Sequence, residues 1–194
     1  SVAGSPTFFA GKNLVVESNS LALAPYFAGS IGKTFVLSAG ESLSMEGDFS
    51  WADKPEDAAR LVVMSAGEMK LAKGMTLQSA TGDLILSSRS DMNLDGVRLE
   101  VSREALIRGM GDVSLVDTRI GADAMATVKA ARNLNVDGLT FSRGVSSILM
   151  EATTIRLSNV DFPAASAVRL NSLKGPIDGR YPNFGTAIPA ADQI

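Results

Sequence analysis

Four stretches decide the reading of this chain. They are Met92-Asn93-Leu94-Asp95-Gly96-Val97-Arg98-Leu99, Val113-Ser114-Leu115-Val116-Asp117-Thr118-Arg119-Ile120, Leu134-Asn135-Val136-Asp137-Gly138-Leu139-Thr140-Phe141 and Ile155-Arg156-Leu157-Ser158-Asn159-Val160-Asp161-Phe162. Each begins 21 residues after the one before. Each holds two alternating triplets separated by two turn residues. A third apolar triplet precedes them: Leu84-Ile85-Leu86, Ala105-Leu106-Ile107, Ala126-Thr127-Val128 and Ser147-Ile148-Leu149. Three short strands in 21 residues leave no room for a helix. A fixed period of this size is the mark of a solenoid.

Alternation assigns the faces, because residues i and i+2 of a strand share a side. In the second strand the inward columns are Leu43, Met92, Val113, Leu134, Ile155 and, two residues on, Met45, Leu94, Leu115, Val136, Leu157. In the third they are Met75, Val97, Leu139, Val160 and Leu77, Leu99, Ile120, Phe141, Phe162. The first strand contributes Leu37, Met64, Leu86, Ile107, Val128, Leu149, Leu170. Stacked coils place equivalent residues about 4.8 Å apart, so these columns become continuous apolar ladders. The helical spacing i, i+3, i+4, i+7 does not occur in these segments.

The corners agree. The residue before the third strand is Gly74, Gly96, Asp117, Gly138 or Asn159. Gly, Asn and Asp are the residues that tolerate positive φ. A column confined to them implies one left-handed residue at the same corner of every coil.

The expected fold is therefore all-β: a right-handed, single-stranded parallel β-helix of about seven to eight coils, each of roughly 21 residues. Residues 1–13 read as a lead-in or cap, 14–170 as the solenoid and 171–194 as an irregular tail with Pro176, Pro182 and Pro189. Ser38-Ala39-Gly40-Glu41 recurs as Ser65-Ala66-Gly67-Glu68, 27 residues on, which places an insertion around 51–60. Pro55, Glu56 and Asp57 suit a capped helical turn there.

Composition narrows the chemistry. The 194 residues contain no cysteine and no histidine. That excludes disulfides, the usual zinc sites and His-dependent nucleophiles. Net charge is −3, which gives no electrostatic case for nucleic acid or an anionic membrane. No run of 18 apolar residues is present to span a bilayer.

Four features are candidates for function. Outward residues of the second and third strands bring no two carboxylates together, which speaks against an enzyme with paired acids. Arg98 and Arg119 stack one coil apart on the third strand, where an anionic sugar would fit. Glu68, Asp91 and Asp112 follow one another at the entry to the second strand, the weak candidate for calcium. The fourth is the middle column of the first strand: Val36, Val63, Ile85, Leu106, Thr127, Ile148. It should face out, yet all but Thr127 are aliphatic. A sheet apolar on both faces is normally covered on both. Val36, Val63, Ile85, Leu106 and Ile148 are thus the expected interface, covered by a second subunit or by a terminal segment carrying Phe8, Phe9, Tyr181 or Phe184.

The three-strand coil, the left-handed corner and the Asn, Asp and Gly turns resemble right-handed parallel β-helices of bacterial surface and secreted proteins. The similarity is to filamentous-haemagglutinin-like adhesins, and in fold to pectate-lyase-like enzymes. It implies an extracellular or cell-surface module that forms homo-oligomers or filaments, without cofactor. The alternative it implies is a carbohydrate-active enzyme or a module binding surface polysaccharide.

Overall fold

The computed structural model describes residues 7–17, 34–51, 60–142, 144–164, 166–175, 177–180 and 183–184. These residues form a parallel β-solenoid with three sheets and no helix. Sheet one has eight strands, running from Thr7–Ala10 through Thr34–Ala39 to Ala167–Ser172. Sheet two has eight, from Leu14–Glu17 to Asp178–Arg180, and sheet three seven, from Phe49–Ser50 to Asn183–Phe184. Every described pairing is parallel.

About five turns follow one another without interruption, from Arg60–Ser65 to Asp161–Phe162, rather than the seven to eight expected. The strands beyond them extend the same sheets, but some of their connections run through residues outside those described. Thr7–Ala10 already pairs with Thr34–Ala39, so the coil begins before residue 14. Ala167–Ser172 and Asp178–Arg180 likewise carry two sheets past residue 170. The helical turn expected around 51–60 falls almost wholly outside the described residues, as do Leu21 to Leu23 and Tyr181.

The core is the set of inward columns. Leu94, Leu115 and Leu134 are fully buried in sheet two, and Leu99 and Leu77 in sheet three. A few polar residues, Ser65, Ser88 and Thr118, join them; Thr118 donates its hydroxyl to the Leu94 carbonyl at 3.1 Å, so it carries no desolvation penalty unanswered. The corner residues Gly74, Gly96, Asp117, Gly138 and Asn159 all have positive φ, between 45° and 78°, and Gly47 joins the column at 74°.

In sheet one the register differs from the expected one at two levels. Val36 pairs with Val62, not Val63, and Leu37 with Val63, not Met64. The repeated Ser-Ala-Gly-Glu tetrapeptides are therefore one residue out of step: Ala39 pairs with Ser65, 26 residues on. Farther along, Ala126 pairs with Ile148 and Thr127 with Leu149, a step of 22. The extra residue enters before Ser147–Ala152, and the turn after that strand is one residue shorter than in the coil below. Because strand side chains have period two, each slip exchanges the two faces. Val63 and Ile148 accordingly lie in the core, at 0% and 1% exposure, and Met64 points out.

Candidate functional site

The outer face of sheet one keeps an aliphatic centre despite the corrected register. Its column reads Val36, Val62, Ile85, Leu106, Thr127, Leu149. Thr127 is buried and the other five are half-buried. Val36, Ile85 and Leu106 stand where the sequence places them; Val62 and Leu149 replace Val63 and Ile148. The sequence held no signal for Val62, because Leu61-Val62-Val63-Met64 is apolar throughout and does not alternate, so the tetrapeptide repeat alone set the expected register. Phe8 turns inward and packs on Phe35, with ring centroids 5.5 Å apart, so it does not cover this face. Phe9 points outward from the first strand and is 71% exposed.

Two rims flank the column. On one side stand Arg60, Asp83, Glu104 and Met125; on the other Met64, Ser87, Arg108 and Lys129. Asp83 is buried and clasped by Arg103, whose Nε reaches Oδ1 at 3.2 Å and Nη2 reaches Oδ2 at 2.6 Å. Arg60 adds a third cationic contact at 3.6 Å. This fork-shaped pairing suits a planar guanidinium and neutralises the carboxylate. It also raises the Arg103 pKa, through the hydrogen bond and charge of Asp83. Lys129 pairs with Glu151 at 3.4 Å. Glu104 and Arg108 are exposed, and neither forms an ion pair among the described residues.

The entry to sheet two is a polar ladder in which most members bond the next coil. Ser42 donates to Asn13 Oδ1 at 2.7 Å, so Asn13 opens the column. The Asp112 N–H donates to Asp91 Oδ1 at 2.8 Å, and the Asn133 N–H and Nδ2 both donate to Asp112 Oδ1 at 3.1 and 3.0 Å. Thr154 donates to Asn133 Oδ1 at 2.6 Å. Arg132 spans the two acids, with Nη2 2.6 Å from Asp91 and Nε 3.3 Å from Asp112. Glu68 pairs instead with Lys70 at 3.2 Å. Glu68, Asp91 and Asp112 do not converge, and among the described residues no group of three acids is placed to hold a metal. What relieves the expected repulsion is a guanidinium.

This ladder yields a pH prediction. The hydrogen bond from the Asp112 backbone, and then that from Arg132, hold the Asp91 carboxyl below its ordinary pKa. A depressed folded-state pKa contributes stability above the unfolded value, and that contribution is lost as pH falls through the folded value. Arg132→Gln should raise the Asp91 midpoint towards the ordinary carboxylate value without reaching it, since the backbone donor remains. Carboxyl-carbon NMR titration reads this directly, and an unchanged midpoint would show that Arg132 is a bystander.

Sheet three answers the arginine pair differently from expectation. Arg98 and Arg119 are neighbours in register. Arg119 Nε, however, lies 3.2 Å from Glu100 Oε1, and Ser142 donates to Glu100 Oε2 at 2.6 Å. Glu100 reaches Ser142 across the intervening coil because that coil carries Gly121: a Cβ there would collide with the Glu100 carboxylate and the Ser142 hydroxyl. One of the two cations is therefore already committed. On sheet two a shallow trough of about 390 Å³ is lined by Ser114, Asn135, Asp137, Arg156, Ser158 and Asp178, among others.

Comparison with protein-family models, curated proteins and solved structures finds no match to this chain.

Proposed function

We propose that this chain is a structural β-solenoid module of an extracellular or cell-surface protein, of the adhesin or filament type, that associates with copies of itself. The observation that carries the reading is the aliphatic column on the outer face of sheet one. It runs over successive levels of a parallel sheet whose other face is the core. Sheets two and three put polar residues at the equivalent outward positions, such as Asn93 and Arg156, or Arg98 and Thr140. Strand propensity alone would favour β-branched residues on every sheet, so the contrast between sheets points to contact.

The test is Ile85→Lys combined with Leu106→Lys, followed by sedimentation velocity and electron micrographs. Both side chains are half-buried on the outer face, so the fold should survive while assembly is lost. A double variant that keeps the parent's assembly state would sink the proposal.

A second reading, a carbohydrate-binding module, draws support from the sheet-two trough. Its Ser114, Asn135 and Arg156 repeat along the stack at about the 4.8 Å coil spacing. Binding of acidic polysaccharide that is lost with Arg156→Ala, with assembly absent in the parent, would favour this reading over the first.

A further inference from the structure

The geometry points to a particular partner arrangement on this face: a second copy of the chain, sheet one against sheet one, with the solenoid axes parallel. This rests on the self-association proposed above and specifies its geometry. The strand Glu104–Gly109 carries the argument. Its outward residues are Glu104, Leu106 and Arg108, so an acid and a base flank the aliphatic column on one strand.

Two facing copies can be related by a two-fold axis parallel to the solenoid, in front of the Leu106 column. Each level then meets the same level of the other copy with strand direction reversed. Leu106 meets Leu106, and Glu104 of each copy faces Arg108 of the other. The neighbouring levels also fit: Asp83 faces Ser87, Arg60 faces Met64, and Met125 faces Lys129. From Thr34–Ala39 to Ser147–Ala152 no like charges are opposed; at the last level, where Leu149 pairs with Arg169, two arginines would meet, and the interface stops short of it. The alternative two-fold, along the strands, makes the axes antiparallel and brings Glu104 onto Glu104 and Arg108 onto Arg108. Like charges across an interface disfavour the wrong arrangement, while complementary ones set register. Glu104 and Arg108 suit this role because Asp83 and Lys129 on the same rims are already paired within the chain.

The size is adequate. The seven strands from Thr7–Ala10 to Ser147–Ala152, of up to six residues, make a face roughly 29 Å by 20 Å at ordinary strand spacing and rise. Burying it on both copies gives roughly 1,150 Å², above the roughly 1,000 Å² that a specific interface should clear.

The experiment is a charge exchange measured by sedimentation equilibrium, with circular dichroism melts as the folding control. Glu104→Arg alone and Arg108→Glu alone each place like charges across the interface twice, and each should raise the dissociation constant about tenfold. The double variant exchanges both charges, keeps the net charge, and should return to within about threefold of the parent, since it rebuilds the same pairs in reverse. Added salt should weaken the parent and the double variant alike. If the parent and all variants associate equally, or if the double variant is no better than the singles, the parallel arrangement is wrong while self-association stands. A parent that stays monomeric at high concentration overturns the self-association itself.

Discussion

Leu115→Ala should lower the stability of the solenoid by about 3 kcal/mol, the typical cost of a fully buried leucine truncated where neighbours cannot close in. Leu115 is 0% exposed and sits in an unbroken column, paired with Leu94 below and Val136 above. Both neighbours are held by their own strand ladders, so neither can move into the space. The adjacent residue provides the control. Ser114 points outward from the same strand, and Ser114→Ala should stay within about 0.5 kcal/mol of the parent. Chemical denaturation of the three proteins measures the difference. A Leu115→Ala cost below about 1 kcal/mol would mean that the column is loosely packed and the inward assignment carries less energy than argued. Solenoids stack units that contact only their neighbours, so the loss should also broaden the transition as the coils on either side uncouple.

The second large effect is expected at the corner. Gly138→Val should cost about 2 kcal/mol. Gly138 has φ +78°, where a β-branched side chain is strained by about 1–2 kcal/mol. A Cβ there would also stand 2.5 Å from Asp117 Oδ1 and 3.2 Å from the Asp117 backbone nitrogen. The carboxylate can rotate away, but the backbone nitrogen belongs to the coil below and must shift. Asp117→Gly is the matched test, because Asp117 holds φ +45° and already has a Cβ. Removing it relieves strain while adding unfolded-state entropy, so the result should be neutral or mildly stabilising. Equal melting temperatures for Gly138→Val and the parent would overturn the claim that this corner constrains the fold.

The candidate face shows where sequence reasoning stops. Ile85 and Leu106 could be placed outward because the coils from Leu84 to Val128 are regular, with Ile85 pairing to Leu106 and Leu106 to Thr127. Val63 and Ile148 could not, because each lies just after an irregular stretch. The identical tetrapeptides at 38–41 and 65–68 invite an alignment that the packing rejects. In the folded chain Gly40 and Gly67 occupy tight spots, each with a backbone carbonyl of the coil below where a Cβ would be: that of Gly11 for Gly40 and of Glu41 for Gly67. The tetrapeptide fits the corner at either of two positions: with Ala39 on Ser65 and Leu43 on Met69, Glu41 rather than Gly40 shares the column of Gly67. It therefore does not specify register to the single residue.

Some of this protein is settled by its sequence alone. Period-two alternation assigns Leu94, Leu115 and Val136 to one face, and the run of Gly, Asp and Asn assigns a left-handed corner. Both are local properties of side-chain direction and allowed φ, so they need no knowledge of neighbours. The register across the insertion and across Ser147–Ala152 was decided only by tertiary structure, since one residue more or less exchanges core and surface, and only packing of the whole column selects between them. The same holds for the polar ties. Arg132 bonds Asp91 from 41 residues away, and Glu100 meets Ser142 from 42 away. Such pairs form because stacking brings every second coil within reach of a long side chain, provided that the coil between offers a glycine or a gap. The sequence carries each partner, but only the stacked coils bring the partners together.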